Sequence, residues 1–208
     1  MITNKSEELK AVIERISEMC LKVESMLNAC VNGFLKNNIT YLEEARGISL
    51  SVHNEENELM NILSRIGTEP ETDKEFIKSL MIVISNVELA MDGLDAILQH
   101  IRIKTEEGIL FSDKAVNEIS HLFRETGDII KTTADTILTK NEVLKRHLVD
   151  KWGSVNQTID VYSEEHENRL IQGLCQPQSS SLYLSIVSSL GKVISHMKHA
   201  IDRFFLSK

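Results

Sequence analysis

Hydrophobic residues recur along this chain at alternating steps of three and four, the spacing that lines one side of an α-helix. Leu80, Ile84, Val87, Met91, Leu94, Leu98 and Ile101 form one such stripe. Moving each of them 103 positions onward gives Tyr183, Val187, Leu190, Ile194, Met197, Ile201 and Phe204, again all apolar. Only 42% of the residues are hydrophobic, so a full match at seven positions is not accidental. Near the start, Leu9, Ile13, Ile16, Cys20, Val23, Leu27, Cys30 and Phe34 make another stripe, and the same shift from Ile13 leads to Val116, Ile119, Phe123, Thr126, Ile130, Thr133 and Ile137. Asn38 maps onto Asn141, where both patterns break. A period this long marks a duplicated unit and not a solenoid repeat.

The pattern predicts helices over about 7–36, 39–66, 73–106, 113–139, 141–171 and 181–206, three in each of two repeats, 1–108 and 109–208. Thr72 with Glu75 reads as a capping box, Ser112 or Asp113 as an N-cap, and Ser179–Ser181 as the start of the last helix. Pro70 and Pro177 stand just before the third helix of each repeat. The fold class expected is all-α: an antiparallel bundle of long helices, the architecture in which each rod buries its stripe against two neighbours. Two prolines, nine glycines and 5% aromatic residues among 208 leave too few turn formers for a β protein of this size.

Charge narrows the partners. A formal net charge of −8 weighs against nucleic acid, and the basic residues form no lipid-binding cluster. The longest apolar run, Leu80–Ile84, is far short of a membrane span, and the first residues carry no apolar signal core. Cys20 and Cys30 fall on an apolar helix face and Cys175 stands apart, so no disulfide framework is expected and a cytoplasmic location is.

Candidate chemistry is sparse. Glu88, Asp92 and Asp95 share one face of the third helix, where they either bind a cation jointly or form a solvated acidic flank. Glu118-Ile-Ser-His121 has ExxH spacing, but no second copy accompanies it, which argues against a di-iron oxidase. His196 and His199 lie one turn apart and read as surface decoration rather than ligands. No nucleophile, P-loop or dinucleotide-binding pattern is present in the sequence, so no enzyme is expected.

The duplicated three-helix plan, together with the segment His166-Glu-Asn-Arg169-Leu170-Ile-Gln-Gly173-Leu-Cys175-Gln-Pro177, resembles the PhoU family. Its relatives include the C-terminal domain of bacterial sodium/phosphate cotransporters. The likeness implies a non-enzymatic regulator of phosphate uptake and phosphate-dependent signalling. Such a regulator would act by binding a transporter component, its ATPase or a sensor kinase, as a homodimer, without membrane insertion. Alternatives are a metal-binding helical bundle and a purely structural dimerisation module. Family members carry an acidic E/D-x-x-x-D signature on the third helix of each repeat that can hold metal clusters. Here Glu88-Leu-Ala-Met-Asp92 keeps the acids of the first copy, whereas the second has Gly191 and Ser195, with Lys198 opposite Asp95. The preceding helices show the reverse: Asn57 and Asn61 in the first repeat, Asp160 and Glu164 in the second. The residues implied as ligands are Glu88, Asp92, Asp95, Asp160 and Glu164. The expectation is one weakly held divalent cation, iron or another, in place of two multinuclear clusters.

Overall fold

The computed structural model describes residues 2–206, and side chains from residue 6. They form six helices: α1 (Ile2–Lys36), α2 (Thr40–Gly67), α3 (Lys74–Glu106), α4 (Asp113–Thr139), α5 (Glu142–Ile171) and α6 (Pro177–Leu206). The stripes are the reason. Every member of the α3 and α6 stripes is buried, and so are those of α1 and α4 apart from the outermost Leu9 and Val116, which are half-buried. A helix of this length leaves its polar faces in water and is held by that apolar side, each buried Leu, Ile or Val contributing about 1.5–3 kcal/mol.

α3 and α6 lie against each other along the centre, and α1 packs on α4. α2 covers α1 and α3 on one flank, and α5 covers α4 and α6 on the other. Exchanging the two halves therefore returns the same set of neighbours, the arrangement a duplicated chain adopts about a pseudo-two-fold axis. All of the main apolar side chains join one continuous core. At the α3–α6 crossing Gly93 lets the backbones approach: a Cβ there would sit 2.8 Å from Val193 Cγ2.

Equivalence extends to the turns. Asn37 and Lys140, 103 positions apart, both adopt left-handed backbone at φ 49° and 51°. The residue after each, Asn38 and Asn141, accepts through its side-chain oxygen from the N–H two residues on, of Thr40 and Val143. Short side-chain acceptors of this kind satisfy the free amides that open a helix.

Three boundary expectations differ. Ser112 does cap α4, its Oγ accepting from Ala115 N at 3.3 Å. The N-cap of α3, however, is Asp73, which accepts from Phe76 N at 3.0 Å, while Thr72 Oγ1 donates back to Ile66 O. Asp outcompetes the proposed Thr72–Glu75 box because its carboxylate also meets the positive end of the helix dipole. α6 opens at Pro177 instead of 181, since proline fits the first helical position, where no N–H is needed. Ser179–Ser181 thus lie inside the first turns, Ser180 buried. α1 begins at Ile2 rather than at 7.

Candidate functional site

The α2–α3 seam gathers the acidic residues of the third helix. Glu88 and Asp95 are half-buried and Asp92 is exposed. α2 brings His53 and Glu56 against them: His53 Nδ1 lies 2.9 Å from Glu88 Oε1, and Ser49 Oγ donates to Asp95 Oδ2 at 2.8 Å. Two sets of ligand atoms, His53–Glu56–Glu88 and His53–Asp92–Asp95, each fall within 4.8 Å of one another, with His53 shared. Either set, two carboxylates with one imidazole, offers donors suited to a hard or borderline divalent cation. Burial, then the charges of Asp92 and Glu56, push the Glu88 carboxyl above its ordinary value, and His53 only partly opposes them. The part contributed by Asp92 and Glu56 is negative charge that a bound cation or a proton relieves.

The partners on α2 are residues the sequence reading did not single out. Asn57 and Asn61 are exposed, and Asn57 Nδ2 donates to His53 O within its own helix. Asp160 and Glu164 are likewise exposed on α5 and, among the described residues, join no group of three ligating side chains. The reason lies on their own flank. The positions equivalent to Ser49, Glu56 and Glu88 are Trp152, Ile159 and Gly191. Trp152 is buried with Lys198 Nζ over its ring at 5.6 Å, and Ile159 Cδ1 packs where a Gly191 Cβ would stand. The second half has plugged its seam with apolar groups and a cation, so its residues do not fit a metal. The first half's do.

The second half carries a different polar cluster. Glu118 is buried, and Arg169 grips it with both terminal nitrogens, at 3.2 and 2.7 Å. Tyr183 donates to the same carboxylate at 2.7 Å, and the His166 ring stacks flat on Tyr183 at 3.9 Å. Burial foremost, and then the Glu118 charge, raises the Tyr183 hydroxyl far above its usual value. The ExxH spacing is therefore spent on structure: Glu118 turns inward to Arg169, while His121 Nδ1 pairs with Tyr162 Oη at 2.8 Å. His196 faces Asn86 at 3.3 Å. At the positions equivalent to His166, Arg169 and Tyr183 the first half has Leu63, Ile66 and Leu80, all fully buried, while Arg15, at the position of Glu118, pairs with Glu55 and Glu58 of α2 at 2.6 and 2.7 Å. Cys20 and Cys30 are buried, and their thiols are pushed up to about 12, mainly by burial.

No protein-family model and no curated protein sequence matches the chain. Solved structures do. PhoU from Pseudomonas aeruginosa superposes with a TM-score of 0.88 over 96% of both chains at 16% identity. The chain has the PhoU fold. The phosphate transport system regulatory protein PhoU from Streptococcus pneumoniae matches with a TM-score of 0.84 at 12% identity, covering 96% of this chain and 94% of its own. A PhoU-like protein from Shewanella oneidensis MR-1 follows at 0.56 and 13%, covering 94% and 97%. The PhoU fold thus spans nearly the whole chain, as the family resemblance implied. Among the described residues no helix is long and apolar enough to cross a membrane.

Proposed function

We propose that the chain is a non-enzymatic regulator of phosphate uptake that acts by binding protein partners, such as a phosphate transporter component or a sensor kinase. The observation that carries this reading is the near-complete overlap with the P. aeruginosa PhoU structure, 96% of each chain. Long rigid helices with an acidic surface support it, because such a surface steers towards basic partners and holds them loosely. The α2–α3 cluster holds one divalent cation weakly. His53 supplies a nitrogen ligand, oxygens come from Glu56 and Glu88 or from Asp92 and Asp95, and the ion offsets the neighbouring charges that, after burial, raise the Glu88 pKa.

Affinity purification of the chain from its own cells, grown at low and at high phosphate, tests the regulatory reading. A phosphate transporter component or a kinase that co-purifies in one condition and declines in the other is expected. Recovery of the chain alone in both conditions contradicts it.

A further inference from the structure

One cavity of the molecule borders the second-half cluster at His166. It has a volume of about 470 Å³ and lies between the α3–α4 and α5–α6 connections. Leu110 and Leu174 form its apolar rim, His166 lines its wall, and Gln176, Gln178 and Ser179 supply the opening of α6. Two features point to a ligand.

The first is an orphaned donor. His166 is only 2% exposed, and its Nε2 has no hydrogen-bond partner. Arg169 Nη2 lies 3.0 Å from its Nδ1. A guanidinium only donates, so Nδ1 accepts and the ring proton sits on Nε2. Burial, then Arg169, holds this imidazole below its usual pKa, in keeping with the neutral form. A buried N–H without an acceptor is costly, and such groups mark places where something else binds. Beside it, the first-turn amides of α6 add donors and the positive end of a helix dipole.

The second is the loss of acid from this end of the molecule. The positions equivalent to Leu110, Leu174, Gln176 and Gln178 are Glu7, Glu71, Asp73 and Glu75. Four carboxylates at one end are thus replaced by two leucines and two amides at the other. Glu107, which also lines the cavity, is engaged by Gln178 Nε2 at 2.5 Å. Nor do the leucines serve the core. Leu174 is 69% and Leu110 82% exposed. Leu174 follows the left-handed Gly173 at the end of α5, whereas Ile109, which follows Gly108 in the same way at the end of α3, is buried.

We infer that this cavity binds the C-terminal end of a partner polypeptide, with its apolar last residue against Leu110 and Leu174 and its free carboxylate on the His166 Nε2–H and the first amides of α6. The volume falls within the range of small-ligand pockets and exceeds what a lone oxyanion fills. The inference is independent of the cation site and of any link to phosphate.

The test is an NMR titration of the ¹⁵N-labelled full chain with two probes, acetyl-Leu-Leu with a free carboxylate and acetyl-Leu-Leu-amide. The free acid is expected to shift the amides of 107–115 and 174–179 and the His166 ring N–H, and to bind at least tenfold more tightly than the amide. His166→Phe, which keeps the stack on Tyr183, and Leu174→Ser, at an exposed position, are each expected to weaken the free acid at least tenfold. No shift with either probe, or shifts outside these segments, overturns the inference. So does equal affinity of acid and amide, or wild-type binding by folded Leu174→Ser.

Discussion

Glu118→Ala isolates the energetics of the second-half cluster. In the wild type Glu118 is 5% exposed and takes three hydrogen bonds, two from Arg169 and one from Tyr183. Lys114 Nζ, 3.7 Å away, stands largely in water and adds little. Removing the carboxylate leaves the Arg169 guanidinium, whose side chain is 14% exposed, with only the looser and half-exposed Glu165 at 3.7 Å, and the buried Tyr183 hydroxyl without an acceptor. Breaking a buried pair from one side costs about 3–5 kcal/mol. For a chain of this size that lowers the melting temperature by roughly 6–20 °C. Because the cost is an orphaned charge and not a lost attraction, removing all the polar groups together is expected to restore stability. Glu118→Leu/Arg169→Met/Tyr183→Phe should recover more than half of the loss. Urea and thermal denaturation followed by circular dichroism measure both. A loss below about 1 kcal/mol for Glu118→Ala, within the ordinary range of surface substitutions, refutes the reasoning, as does a triple variant no more stable than the single one.

Other consequences are open to measurement. Gly93→Ala places a methyl group 2.8 Å from Val193 Cγ2, and overpacking of this kind costs about 1–3 kcal/mol; adding Val193→Ala should return most of it, and equal stability of the single variant and wild type would mean the helices can slide apart. Mn²⁺ is expected to raise the melting temperature of the wild type in proportion to the logarithm of its concentration, and Glu88→Gln/Asp92→Asn to abolish the effect, whereas Asp160→Asn/Glu164→Gln should leave it intact. The raised Glu88 pKa means that the folded chain takes up this proton before the unfolded one as pH falls. Stability attached to Glu88 is therefore full below the ordinary carboxylate range and is lost as pH rises through the elevated folded-state value, and Glu88→Gln should flatten that part of the stability–pH curve. Cation binding runs the opposite way and should weaken on acidification through the same window.

Much of the fold was legible because burial imposes a period. The α3 and α6 stripes needed no tertiary knowledge, since one face of each rod had to be apolar along its length. The 103-residue shift also contained the start of α6: Lys74 opens α3, and its equivalent is Pro177. Placing Pro177 just before the last helix, and not at its first position, concealed that. The candidate site was half legible. Glu88, Asp92 and Asp95 stand at helical spacing within one element, so their shared face follows from the sequence. Their partners depend on the rotation of α2 about its axis, which packing sets. His53 and Glu56 face α3, while Asn57, one residue further round, faces solvent. The signal available was the pairing of His53 and Glu56 one turn apart, beside Ser49 on the preceding turn. Glu118 and Arg169 were beyond such reading, because they lie 51 residues apart on different helices and only the folded bundle joins them. The motif running from His166 to Pro177 gave the family likeness without revealing that its arginine serves a buried glutamate.

Phosphate uptake is the most direct test of the proposed role. Cells lacking this chain, and the same cells complemented with it, would be shifted between phosphate starvation and excess while the uptake of radiolabelled phosphate and the expression of the transporter are followed. Altered uptake and altered phosphate-dependent expression, both restored by the chain, are expected. Uptake and expression unchanged by the deletion in both conditions would contradict the assignment of a regulator of phosphate transport.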